Sequence, residues 1–215
     1  MKILTLAASV ERLGWDFTFE TTLTTAAPLE DGMLRGDLFV VGSGDPSLGG
    51  RIGDQGRAVA SWADELWAGG VRSIQGRLIG DDNAFDDDGL GAGWSWEDLA
   101  LGYAAPVGAL TYDENAVQLV VRPGGTAGGP AEVTLREPAG GLVIENHTTT
   151  AGPGEAFALD LRRPPGTAVL VARGVVPAGT PELVRTVSVV NPTGVFLAAI
   201  EQALTARGIL VAGPA

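Results

Sequence analysis

Cysteine is absent from this 215-residue sequence, and lysine and histidine occur once each, as Lys2 and His147. Without thiols there are no disulfides, no thiolate metal sites and no cysteine nucleophile. One histidine excludes any multi-histidine metal centre and any mechanism with two imidazoles. A Ser-His-Asp triad has no support either, because none of the seven serines sits in a G-x-S-x-G context. Fourteen basic residues stand against 26 acidic ones, a formal charge of −12 with pI near 4.4. Such a field repels phosphate backbones, and the arginines form no stripe, so nucleic acid is not an expected partner.

Long apolar runs are missing too. None approaches the roughly 18 residues of a membrane span, so no transmembrane segment is expected. The opening MKILTLAAS has one positive charge and a short apolar stretch. That stretch is only about six residues, below the usual 7–15 of a signal peptide, and Glu11-Arg12 follow at once. An amphipathic helix explains the segment better: Ile3, Leu6, Ala7, Val10 and Leu13 recur at three- and four-residue steps, and Gly14 supplies a stop.

What is present is 45% hydrophobic content, 32 glycines and 13 prolines, a composition for short elements joined by many tight turns around a real core. FTFETTLTT and a second run ending at Val41 predict a hairpin about the turn Glu30-Asp31-Gly32. RAVASWADELWA, Arg57 to Ala68, predicts an amphipathic helix closed by Gly69-Gly70, and Val71 to Ile79 a strand, giving an α/β succession. From Thr111 to Val190 the runs AVQLVV, AEVTL, GLVIEN, AFALDL, AVLVARG and VRTVSVV predict a small antiparallel sandwich or barrel. Asn191-Pro192 is an N-cap with proline at the first helical position, Val195 to Ala206 continues the helix and Gly208 ends it. ILVAG reads as a final strand.

Cofactor signatures fail. VGSGDPSL lacks G-K-[ST] and the dinucleotide spacing, and IGDDNAFDDD lacks the EF-hand register and its closing glutamate. No cofactor or metal is therefore predicted. Trp94 and Trp96 in GWSWEDL alternate with small residues, which predicts that they pack beneath the acidic loop.

Taken in order, MKILTLAASVERLGWDFTFETTL, GMLRGDLFVVGSGDPSL, GVRSIQGRLIGDDNAFDDD, GWSWEDL, YAAPVGALTYDENAV and ARGILVAG resemble successive landmarks of the class C penicillin-binding proteins. These are the D-alanyl-D-alanine carboxypeptidases/endopeptidases of the bacterial cell wall. The resemblance covers essentially the whole chain. In that family a helix opens with P-A-S-x-x-K-x-x-T. Lys2 matches the lysine and Thr5 the threonine, and the nucleophilic serine falls three residues before Lys2, ahead of Met1. An amine one helical turn from a hydroxyl shares its face and can activate it, provided burial or a second cation lowers a pKa ordinarily near 10.4. The serine then forms an acyl-enzyme, and β-lactams acylate the same group.

The resemblance further implies that Asp81 and Phe85 belong to a loop that overhangs the cleft and receives the peptidoglycan stem peptide. The family's S-x-N and K-T-G motifs do not occur in these 215 residues. The expectation is thus an inactive fragment of an extracytoplasmic enzyme, with no signal peptide in this chain. Its fold class is α+β: residues 1–25 a stub of the transpeptidase-like domain, 26–110 with 183–215 an inserted α/β domain, and 111–182 an inserted β-rich subdomain. The apolar face of Ile3, Leu6 and Val10 would be left open to self-association. The alternative from another class is a non-catalytic cell-envelope binding module.

Overall fold

The computed structural model describes residues 2–50, 56–136 and 139–213. Helix α1, Lys2–Leu13, ends where Gly14 takes a φ of 89° and its N–H bonds back to the Val10 carbonyl at 2.8 Å. None of its residues is buried, and Ile3 and Leu6 are 82% and 65% exposed.

Strand β1 is Thr21–Thr24, β2 Leu29–Glu30, β3 Met33–Leu34 and β4 Leu38–Gly42. The antiparallel pairing predicted between the first two runs is present as β1 against β4, Thr21 opposite Gly42. A second hairpin, β2 with β3, is nested inside it. Helix α2, Gly56–Ala68, leads to β5, Ser73–Ile74, and β6, Leu78–Asp81. β3 runs parallel to β5 and β4 parallel to β6, so one kinked strand path lies beside another. Asp37 marks the kink: its Oδ1 accepts the Arg77 N–H at 2.7 Å while Leu38 donates to the Arg77 carbonyl at 2.9 Å.

Short 3₁₀ turns follow at Trp96–Asp98, Gly102–Ala104 and Asp113–Asn115. Strands β7 (Ala116–Arg122), β8 (Glu132–Leu135), β9 (Val143–Ala151), β10 (Ala158–Arg162), β11 (Val169–Pro177) and β12 (Leu183–Ser188) then form two three-stranded sheets, ordered β12-β7-β8 and β10-β11-β9. The expected all-antiparallel arrangement is corrected here. β10 lies on the far side of β11, so β9 and β11, both opposite in direction to β10, become parallel neighbours from Val143/Val169 to Ala151/Pro177. β12 pairs with β7, which keeps residues 183–188 in the β-rich layer.

Helix α3, Pro192–Arg207, returns the chain to the α/β layer and delivers β13, Leu210–Val211, parallel to β5. Its ends are those read from sequence. The Asn191 side chain accepts the Gly194 N–H, and Gly208 closes the helix in the left-handed region at φ 91°.

Two cores result. In the first, Leu38, Val40, Ile74 and Leu78 of the strands meet Val59 and Ala63 of α2 and Phe196, Ile200 and Leu204 of α3. The Phe196 ring lies 6.3 Å from that of Trp62 and 6.1 Å from that of Tyr112. In the second, Leu119 and Val121 face Leu170, Val176 and Val187. Gly42 allows the end of β4 to meet the 109–110 segment, since a Cβ there would lie 2.2 Å from the Ala109 carbonyl oxygen.

Trp96 corrects the sequence expectation, being 75% exposed, and Trp94 is on the surface as well. Ser95 caps a 3₁₀ turn at Trp96–Asp98 by accepting the Glu97 N–H at 3.3 Å, which starts a new local geometry at Trp96.

Candidate active site

Lys2 lies in the first turn of α1 on an exposed surface, with Thr5 one turn further on. Asp81 is the last residue of β6, and its Oδ1 accepts two hydrogen bonds from Asn83, from the backbone N–H at 3.2 Å and the side-chain amide at 2.7 Å. This Asx-type turn aims the following loop outward. Phe85 sits on that loop, 41% exposed, with its ring over Gly44. There a Cβ would lie 2.6 Å from Phe85 Cζ, and φ is +96°, a region that favours glycine.

Two cavities meet at Phe85. The first, of about 340 Å³, lies where the 82–90 loop, the 106–108 segment, the N-terminus of α3 and the turn after β10 converge. The second, of about 380 Å³, is lined by Phe19, Gly44, Val107 and Asn115. Asp81 and Lys2 line neither; the structure joins Phe85 to Asp82 in the first cavity and leaves Lys2 apart on α1.

The walls are firmly built. Thr193 Oγ1 donates to Asp82 Oδ2, tying the loop to α3. The second cavity rests on a turn in which Asp113, Glu114 and Asn115 all adopt left-handed φ values of 50°, 60° and 53°. Each is a conformation that costs a non-glycine residue of the order of 1 kcal/mol. Buried Asn115 offsets that cost by donating to the Pro106 carbonyl at 2.8 Å and Thr111 Oγ1 at 3.3 Å, and by accepting the Tyr112 N–H at 3.2 Å.

Arg163 is the residue that sequence reasoning missed. It is 91% buried, lines the first cavity, and spends Nε and Nη2 on the Leu99 carbonyl at 3.1 and 2.6 Å and on Ser188 Oγ at 3.0 Å. No carboxylate pairs with it among the described residues, and burial pushes its pKa below the ordinary arginine value. A signal was available: Leu159, Leu161 and Arg163 alternate onto one face of the β10 run, and the two leucines pack into the second core.

Among the described residues no group of three or more His, Asp or Glu is arranged to hold a metal ion, and no helix is long and apolar enough to cross a membrane. His147 is exposed on β9 and pairs with Glu145.

The D-alanyl-D-alanine carboxypeptidase of Actinomadura sp. is 33% identical over 220 residues, covering 99% of this chain and 39% of the relative. The D-alanyl-D-alanine carboxypeptidase DacB of Haemophilus influenzae is 33% identical over 114 residues, 53% of this chain and 22% of the relative. The crystal structure of penicillin-binding protein 4 (dacB) from Haemophilus influenzae superposes with a TM-score of 0.83 at 25% identity, over 99% of this chain and 46% of that one. The same protein complexed with a novel β-lactam superposes with a TM-score of 0.72 at 21% identity, a likeness of fold. The chain thus spans less than half the length of the relatives it matches. With residues 1–214 matching its description throughout, the chain belongs to the D-Ala-D-Ala carboxypeptidase 3 (S13) family, with the mixed α+β fold of penicillin-binding protein 4.

Proposed function

We propose that this chain is the part of a serine-type D-Ala-D-Ala carboxypeptidase/endopeptidase that carries the catalytic lysine and the substrate-receiving loop. The enzyme acts outside the cytoplasm on peptidoglycan stem peptides and is acylated by β-lactams. The observation that carries this reading is the family match over residues 1–214, a span that includes the sole lysine, Lys2, in the first turn of α1.

In the proposed mechanism Lys2 takes the proton from a serine hydroxyl one turn earlier on its helix, and the alkoxide attacks the carbonyl of the D-Ala-D-Ala bond. The acyl-enzyme forms as the C–N bond breaks and the terminal D-alanine leaves with the proton held by Lys2; water then attacks the ester, its proton returns to the serine oxygen, and the remaining peptide is released as the acid. Phe85 offers an apolar contact to the stem peptide and Asp81 a carboxylate for a substrate ammonium or a cationic side chain.

Within these 215 residues there is no serine three positions before the lysine, no S-x-N and no second lysine for K-T-G. The chain by itself is therefore proposed to be inactive. Fluorescent penicillin tests the reading. A chain extended at both ends through these three motifs is expected to label covalently and the 215-residue chain is not; labelling of the short form would overturn the assignment.

A further inference from the structure

The first cavity joins two features that point to opposite charges on one ligand. Arg163 supplies a buried guanidinium whose Nη1 makes no hydrogen bond with any described residue, although Nε and Nη2 are both engaged. No buried side-chain nitrogen or oxygen lacks a partner among the described residues, so this Nη1 is open to solvent rather than sealed in the protein. Arg163 is also a wall of the cavity. Its neighbours Leu99 and Ser188 are neutral, so the cation carries a desolvation cost that no carboxylate offsets. The N-terminal residues of the 16-residue helix α3, Pro192 and Thr193, line the same space and add a positive end.

The opposite wall is acidic. Asp82 is occupied by Thr193, and Asp86 Oδ1 accepts the Asp88 N–H at 3.2 Å; Asp86 and Asp87 are both exposed on the loop and line the cavity. Phe85, Leu90 and Val107 supply apolar surface between the two poles. At about 340 Å³ the space falls at the small end of ligand cavities.

We infer that this cavity binds a small zwitterion of amino-acid or dipeptide size, its carboxylate on Arg163 and the α3 N-terminus and its ammonium on Asp86 and Asp87. A doubly charged ligand fits better than a simple anion, which the acidic loop repels, or a simple amine, which leaves the guanidinium unneutralised. The inference stands independently of the peptidase reading, because it uses neither Lys2 nor Asp81.

The test is a titration of the folded 215-residue chain with L-alanyl-L-alanine, followed by amide chemical shifts and calorimetry. Saturable binding with a Kd on the order of 1 mM is expected, with the largest shifts at Gly89, Thr167 and Thr193. N-acetylation or C-amidation of the dipeptide is expected to weaken binding at least about tenfold each. Asp86→Asn with Asp87→Asn should weaken the free dipeptide about tenfold and leave the acetylated one unchanged. Arg163→Lys should reduce binding of the free dipeptide while sparing the amide, with circular dichroism reporting on the fold. If that variant unfolds, the exposed aspartate pair decides. Absence of saturable binding, or binding indifferent to both blocking groups or to the aspartate substitutions, overturns the proposal.

Discussion

The Thr193 hydroxyl donates to Oδ2 of Asp82 across 111 residues of sequence, fastening the first turn of α3 to the loop that presents Phe85. Residues 83–88 are all exposed, and besides this tether the loop is held by the Phe85 ring over Gly44 and by the Val107 N–H on the Gly89 carbonyl at 2.8 Å. Thr193→Val keeps the shape and removes the donor, leaving a half-buried carboxylate without its partner. A loss of about 1 to 2 kcal/mol is expected in urea denaturation. Hydrogen exchange of the 82–90 amides should accelerate by more than that of the α3 interior. A double-mutant cycle with Asp82→Asn that shows no coupling would sink the tether.

Arg163 binds the Leu99 carbonyl and Ser188 together, joining the end of β10 to β12 and to the 96–101 turns. Arg163→Met fills much of the space and removes the charge with its hydrogen bonds, while Ser188 still donates to the Leu99 carbonyl. The expected cost is about 2 to 4 kcal/mol, because the apolar side chain leaves part of a polar niche unsatisfied. A variant as stable as the parent would mean that the desolvation of the guanidinium cancels its bonds.

Asp37 gives the chain a defined acid limb. The Arg77 backbone N–H first, and then its guanidinium 3.3 Å away, hold the Asp37 carboxyl below its ordinary value of 3.8. The folded value is the lower one, so the stabilisation is complete above 3.8 and is lost as pH falls through the folded value. Asp37→Asn keeps an acceptor for the N–H and cannot titrate. Urea midpoints for parent and variant should differ near neutral pH and converge in strong acid; parallel curves would refute the link.

Asn115 combines three side-chain hydrogen bonds with a φ of 53°. Asn115→Ala loses both the bonds and a residue tolerant of that backbone, and should cost about 2 to 4 kcal/mol. Asn115→Gly relieves only the backbone term and is expected to fall between parent and alanine variant. Equal losses for the two in thermal and chemical denaturation would show that the left-handed turn carries no strain.

On the peptidase reading, a catalytically complete longer chain should lose at least about 10²-fold in penicillin acylation rate with Lys2→Ala, the minimum for removing a general base. Phe85→Ala should instead lower kcat/KM for a stem peptide roughly tenfold and leave acylation by a small β-lactam nearly unchanged, as a contact remote from the reacting bond would. A reversed pattern would place the two side chains in each other's roles.

The capped helices were legible because their signals are local. Asn191, Pro192 and Gly208 fix the ends of α3 through contacts within a turn, and the stop of α1 at Gly14 is likewise local. Trp96 escapes the expected packing beneath the acidic loop because Ser95 caps a 3₁₀ turn at Trp96–Asp98.

The amphipathic face of α2, the capped ends of α3, the β-rich middle and the absence of metal and nucleotide motifs were determined by the amino-acid sequence alone, because each depends on neighbours a few positions apart. Only the tertiary structure decided that β9 and β11 run parallel, that Arg163 is buried against Leu99 64 residues away, and that Asp82 meets Thr193. Those outcomes depend on which distant surfaces exclude water together, and the periodicity of one segment does not encode the identity of the surface that will cover it.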